Sequence, residues 1–153
     1  MAILLCSCRV RPVPEINTAG FVDYASRGGS YSVRLVTFLK PDSAIFVYIE
    51  NGDSVIYDLR KRSIASTLNR KEHVDSFHRK NFLINDKYYP VERWETGLYT
   101  RDGSAYYFLS KDFGLLGIKS GSWNSFTRLY EIRNMTDPLP LLLTDLAFAA
   151  GDW

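Results

Sequence analysis

Residues 44–58, AIFVYIENGDSVIYD, carry the strongest local structural signal in the chain. Asn51 and Gly52 separate two runs rich in β-branched and aromatic residues, a composition typical of strands. A two-residue type I′ turn needs positive φ at both central positions, which asparagine and glycine adopt readily. The stretch therefore predicts an antiparallel hairpin. Its first run is apolar on both sides, so we expect that strand to be covered on both faces.

Similar runs extend this hairpin in both directions. Upstream, residues 31–40 read YSVRLVTFLK; downstream, residues 81–95 read as two strands joined by a turn at Asp86. Pro90 lacks a ladder donor, which favours an edge position for its strand. The tripeptide Asp112-Phe113-Gly114 indicates a turn in which Gly114 supplies positive φ. These signals predict an antiparallel meander of roughly eight to nine strands.

Two segments depart from the strand pattern. Residues 60–80 carry apolar side chains at loosely helical spacing, which predicts a short mid-chain helix. Residues 137–151 have an Asp-Pro start, a leucine stripe and a closing Gly151, which predict a C-terminal helix packed on the sheet. The expected fold class is mainly β, of the α+β type. We expect residues 1–30 to be a signal remnant and tether, and residues 31–153 to be a single β-rich domain.

Composition limits the classes of protein that fit. The chain has 153 residues, 46% hydrophobic and 24% charged, as expected of one globular domain and not of a disordered chain. Its net charge of +2 does not favour nucleic acid as a partner. The 2 Cys lie within the first eight residues, so no disulfide framework links distant segments. No apolar run approaches the ~18 residues of a membrane-spanning helix.

The first residues, MAILLCSC, carry a second signal. The segment LLCSC resembles a bacterial lipoprotein signal, with Leu5 three residues before Cys8 and the small Ser7 directly before it. This resemblance implies Cys8 as the lipid attachment site and a membrane partner through that anchor. A full export signal needs an apolar stretch of ~7–15 residues, longer than AILL. An envelope location therefore requires an earlier start; with Met1 as the start, we expect a cytoplasmic protein.

The other end of the chain carries a related resemblance. The segment AYYFLSKDFGLLGIKS (105–120), followed by RLYEI and LPLLLTDLAF, is similar to the closing segment of small, functionally uncharacterised lipoproteins of Bacteroidetes-type bacteria. The resemblance implies a location in the bacterial cell envelope and a β-rich fold, and it transfers no catalytic residue. It favours a binding or structural module that contacts a protein or a small ligand. The aromatic residues expected to form its contact surface are Trp94, Tyr99, Tyr106, Tyr107 and Trp123.

Two alternatives stay open. A small enzyme would use His73 or His78 as acid or base, because these are the side chains that titrate near neutral pH. A polyanion-binding protein would use the basic segment 60–80, which has seven Lys and Arg against two acids. Its expected contacts are Arg60, Lys61, Arg62, Arg70 and Lys71. The two cysteines and two histidines lack the spacing of metal ligands, so we expect no metal site. The sequence has no phosphate-binding or dinucleotide-binding motif, so we expect no cofactor.

Overall fold

The computed structural model describes residues 13–23, 29–41, 43–67, 72–97, 103–120 and 126–132. These residues form a single antiparallel sheet of eleven strands. The strands are β1 (Glu15–Asp23), β2 (Gly29–Lys40), β3 (Ser43–Glu50), β4 (Asp53–Asp58), β5 (Ser63–Ser66), β6 (Glu72–His73), β7 (Ser76–Ile84), β8 (Lys87–Thr96), β9 (Ala105–Ser110), β10 (Gly114–Ser120) and β11 (Phe126–Ile132).

The strand order combines two meanders. It runs β6-β5-β4-β3-β2-β1-β11-β10-β9-β8-β7, so that β1 to β6 form one half and β7 to β11 the other. The halves join where β1 pairs with β11, which places the first and last described strands in the middle of the sheet. All pairs are antiparallel, which confirms the expected antiparallel sheet.

The sheet curls into a half-barrel whose two halves face each other. The Leu115 N–H on β10 donates to the Tyr48 hydroxyl oxygen on β3 over 2.7 Å. The rings of Tyr57 on β4 and Tyr107 on β9 have centroids 6.0 Å apart. At one end the Lys111 ammonium donates to the Pro41 carbonyl. The concave side between the halves holds much of the hydrophobic core.

The hairpin predicted from residues 44–58 is confirmed. Asn51 and Gly52 have φ of 51° and 90°, and Glu50 pairs with Asp53 across a two-residue turn. On β3, Phe46 and Tyr48 are buried on the concave side, whereas the residues of the other face are half-buried: Ile45, Val47 and Ile49. The strand is therefore fully covered on one face, not on both as expected.

The expected α+β class is wrong. The described residues contain no helix, and they form eleven strands where eight or nine were expected. In the predicted mid-chain helix the chain turns at Leu59–Arg62 and continues into β5, β6 and β7. The turn forms because an Asp58 side-chain oxygen accepts the N–H groups of Arg60 and Lys61, each over 3.0 Å. The predicted C-terminal helix, 137–151, lies outside the described residues.

The sheet also includes residues from the expected tether and the strand that contains Pro90. Residues 15–23, within the segment expected to be signal remnant and tether, form β1 and pair with both β2 and β11. Pro90 lies on β8, which has β7 on one side and β9 on the other, so its strand is not an edge strand. However, β9 pairs with β8 only from Val91 onward. Pro90 therefore has a paired strand on one side only, β7, and no hydrogen bond to β9 is lost through its missing N–H.

Candidate ligand-binding site

A row of five aromatic rings crosses the concave face of the half-barrel. In spatial order the rings are Tyr31, Phe21, Tyr48, Tyr57 and Tyr107, and they come from β2, β1, β3, β4 and β9. Successive ring centroids are 5.7, 5.8, 5.7 and 6.0 Å apart. These separations lie in the range at which stacked and edge-to-face aromatic pairs attract each other. The row therefore contributes both packing and a continuous aromatic surface.

The first four rings of the row line a cavity of about 290 Å³, which we call the aromatic pocket. Aliphatic residues complete its wall: Val33, Val55, Leu115 and Ile118. The turn of the β3–β4 hairpin contributes the polar residues Glu50, Asn51 and Asp53. An apolar cavity with a few polar groups at one side is the usual form of a small-molecule site.

Burial keeps three tyrosines of the aromatic row, Tyr48, Tyr57 and Tyr107, as neutral phenols. Burial raises the pKa of Tyr48 far above its usual value, although the bond from Leu115 N–H opposes this. Burial also raises the pKa of Tyr57, and the neighbouring Tyr107 adds to the effect. Burial and the nearby Glu72 raise the pKa of Tyr107 to about 12, and its hydroxyl donates to Glu72 Oε2 over 3.3 Å. At neutral pH the three rings therefore carry no charge.

The polar side of the pocket is negatively charged. Glu50 is exposed, and Asp53 is partly buried beside the hairpin turn. The Thr67 hydroxyl donates to Asp53 Oδ1 over 3.3 Å and accepts the Ser54 N–H over 2.9 Å. These bonds fix the Asp53 carboxylate at the rim. Because aromatic faces are also electron-rich, the pocket presents negative potential from both its wall and its rim.

Three residues of the predicted aromatic contact surface are described, and they lie in different surroundings. Trp94 is fully buried and donates its indole N–H to Glu92 Oε2 over 2.8 Å. Tyr106 lies under the Arg93 guanidinium, with 5.3 Å from Arg93 Cζ to its ring centroid. Of the expected residues, Tyr107 adjoins the aromatic pocket, through its contact with Tyr57. The remaining members, Tyr99 and Trp123, lie outside the described residues, as does the proposed lipid attachment site Cys8.

The two histidines are both exposed, on different strands. His73 lines a cleft of about 450 Å³ together with Glu72 and Asp75. His78 lies on β7 opposite Arg93. An acid–base role for His73 therefore has carboxylates nearby and stays a prediction. Over the described ranges, no group of three or more His, Cys, Asp and Glu side chains is arranged to hold a metal ion.

The fold brings three basic residues of the segment 60–80 to one cleft, Arg60, Arg62 and Arg79. Arg60 and Arg62 line a cleft near Glu92, whereas Lys61 is exposed and lies 3.7 Å from Asp58. Arg70 and Lys71 lie outside the described residues. The polyanion surface therefore stays a prediction, and two of its five expected contacts share a cleft.

Sequence reasoning missed the rings that line the aromatic pocket. The Asn51-Gly52 turn fixes the register of the hairpin, which pairs Phe46 with Tyr57 and places Tyr48 on the same face. That signal was available from the sequence. Phe21 carried no such signal, because its segment was interpreted as irregular.

No helix within the described ranges is both long and apolar enough to cross a membrane. Comparison of the chain with models of protein families, with curated proteins and with solved structures finds no match.

Proposed function

We propose that this protein binds a small organic cation in the aromatic pocket. One observation carries the proposal: four aromatic rings surround a cavity of about 290 Å³ whose rim bears the carboxylates Glu50 and Asp53. Rings attract a cation through their electron-rich faces, by about 0.5–1 kcal/mol at exposed sites and ~2 kcal/mol or more where water is excluded. The rim carboxylates add an attraction of the same sign.

The position of the pocket supports a binding role. Its walls come from paired strands, and the Tyr48 hydroxyl links the two halves of the half-barrel through Leu115. A site on paired strands needs little reorganisation when a ligand enters, which lowers the entropic cost of binding. Of the two partner classes expected from the sequence, a protein or a small ligand, the cavity supports the small ligand.

The lipoprotein resemblance supports a location for this module. The proposal places the protein in the bacterial cell envelope, attached to the membrane by lipid at Cys8. In that location the aromatic pocket would take its ligand from the periplasm or the medium. The envelope location and the pocket are independent parts of the proposal, and each has its own test.

The pocket is tested with benzyltrimethylammonium, a quaternary cation, and with benzyl alcohol as the uncharged comparison. Calorimetric titration of the wild-type protein should show saturable binding of the cation and weaker binding of the alcohol. Tyr31→Ala removes a ring that is 39% exposed, and Glu50→Gln removes an exposed rim charge. Each change should weaken cation binding about two- to fivefold, the loss of one exposed cation–π or ion-pair contact.

Matched controls lie elsewhere on the sheet. Tyr88→Ala removes a tyrosine that is 63% exposed on β8, and Asp86→Asn removes a carboxylate at the β7–β8 turn. Both variants should bind the cation as the wild type does. Equal binding of benzyl alcohol and the cation, or equal losses in site and control variants, would contradict the proposal.

A further inference from the structure

A second cavity, of about 400 Å³, lies at the opposite end of the β3–β4 hairpin from the aromatic pocket. We call it the arginine cleft. It is lined by four cationic side chains from three parts of the fold: Arg60 and Arg62 from the β4–β5 turn, Arg79 from β7 and Lys111 from the β9–β10 turn. One carboxylate, Glu92, lines it as well. Its ionisable wall therefore carries three more positive charges than negative ones.

Glu92 forms ion pairs with two arginines of the cleft, Arg62 and Arg79. It is 7% exposed and pairs with Arg79 across the β7–β8 ladder, where the two side chains form an ion pair. Its other oxygen accepts the Trp94 indole N–H over 2.8 Å and lies 3.7 Å from Arg62 Nε. The Arg62 guanidinium also lies over the Phe77 ring, 3.5 Å from its centroid. One carboxylate thus contacts two of the four cations, Arg62 and Arg79, and cannot neutralise all four.

Two buried polar atoms of the cleft lack hydrogen bonds. Within the described part of the chain, neither Ser43 Oγ nor Arg62 Nε has a hydrogen-bond partner. Ser43 is 5% exposed and lines the cleft. A buried donor left unsatisfied costs about 1–3 kcal/mol, so native proteins seldom retain one without a role. Ser43 Oγ can donate and has no acceptor, whereas Arg62 Nε faces the Glu92 carboxylate at 3.7 Å, beyond hydrogen-bond length.

These observations point to one class of ligand. We infer that the arginine cleft binds a phosphate or sulfate group carried by a small molecule. Such a group supplies several acceptor oxygens and up to two negative charges, which match the donors without hydrogen bonds and the excess positive charge of the cleft. The Lys111 ammonium donates to the Pro41 carbonyl and has two further N–H groups. The cleft is larger than an inorganic ion and so leaves room for the organic remainder.

The inference is tested with inorganic phosphate and sulfate on the full-length protein, with acetate as the planar carboxylate, all at equal ionic strength. Phosphate or sulfate should raise the thermal midpoint of unfolding saturably, by about 3–6 °C at ten times its dissociation constant. Acetate should shift the midpoint less, because it presents a single charge and two oxygens. The stronger of phosphate and sulfate identifies the group that the cleft prefers.

Three variants separate a built site from general attraction of anions. Arg60→Gln and Ser43→Ala should each weaken phosphate binding about tenfold or more, because each removes a hydrogen bond to a charged group. Lys61→Gln is the matched control, since Lys61 is exposed, adjacent in sequence and not part of the cleft. It should leave phosphate binding unchanged. Without phosphate, Ser43→Ala should unfold at the same or a higher temperature, which shows that its loss of binding is not a loss of fold.

Three results would overturn the inference. The first is a midpoint that does not respond to phosphate or sulfate beyond the response to acetate. The second is an equal loss in Arg60→Gln and Lys61→Gln, which would indicate diffuse attraction. Retention on heparin that falls equally in those two variants would assign the charges to a polyanion surface instead. Retention that depends on Arg60 and not on Lys61 agrees with the cleft.

Discussion

Replacing Gly114 by alanine tests the contact that joins the two halves of the half-barrel. Gly114 has a φ of 78°, and a Cβ there would collide with the Tyr48 hydroxyl and lie 2.9 Å from Phe46 Cδ1. Neither ring can move freely, because both are buried and the Tyr48 hydroxyl accepts the Leu115 N–H. The left-handed backbone costs an alanine about 1–2 kcal/mol, and overpacking costs about 1–3 kcal/mol more. We expect Gly114→Ala to lower the free energy of unfolding by about 2–5 kcal/mol.

Gly52→Ala is the control that separates the two costs. Gly52 has a φ of 90°, and no atom lies within 4 Å of a Cβ placed there. This variant should lose only the backbone cost of about 1–2 kcal/mol. Urea unfolding at equilibrium measures both changes, and an unchanged slope with denaturant shows that the folded state is intact. Equal losses in the two variants would refute the reasoning, because the Tyr48 collision would then contribute nothing.

The remaining predictions concern alkaline pH and lipid attachment. Above pH ~10 the unfolded chain releases phenol protons that the folded chain retains, so the free energy of unfolding should fall by about 1.4 kcal/mol per pH unit for each buried tyrosine. This decrease in stability continues up to the raised pKa, which is about 12 for Tyr107. Tyr57→Phe should make the decrease shallower, because it removes one buried phenol. Urea midpoints of Tyr57→Phe that fall from pH 9 to 12 as steeply as those of the wild type would contradict this. Fatty-acid labelling of the full-length gene product in bacterial cells should mark the wild type and not Cys8→Ser. Absence of label in the wild type, or equal label in the variant, would contradict the anchor.

The sequence predicted those parts of the fold that local chemistry determines. The Asn51-Gly52 turn needs no distant contact to set its backbone, and Gly114 adopts the positive φ that its position in a turn required. The pairing of Ile84 with Lys87 across Asn85 and Asp86 follows the same rule. In each case two or three residues fix the geometry, and the flanking strands inherit their register from the turn.

The helix predicted for residues 60–80 was wrong because the local sequence pattern there is weak. Strands β5 and β6 have four and two residues, too short for a period to be recognised. Ile64 is buried in the core from an otherwise polar stretch, so its position depends on pairing with β4 and not on its neighbours in sequence. Tertiary pairing overrode the weak helical spacing.

The aromatic pocket could not be predicted from the sequence for a related reason. Its rings lie on β1, β2, β3 and β4, and its opposite wall on β10. The pairing of β1 with β11 brings the two meanders into one sheet, and this contact joins residues more than 100 positions apart. No turn encodes such a pairing, so the rings could be assigned to a face from sequence but not to a common cavity.

The β3–β4 hairpin, residues 43–58, also separates the charges of the two cavities. Its turn carries Glu50 and Asp53 at the aromatic pocket, and its open end places Ser43 beside the arginines of the cleft. Seven residue steps along β3 span about 24 Å, whereas salt screens charges over ~8 Å at physiological ionic strength. The acidic and basic sites therefore act on separate ligands with little direct influence on each other. It follows that Arg60→Gln should leave cation binding unchanged and Glu50→Gln should leave phosphate binding unchanged; a loss in either crossed measurement would mean that the two cavities form one site.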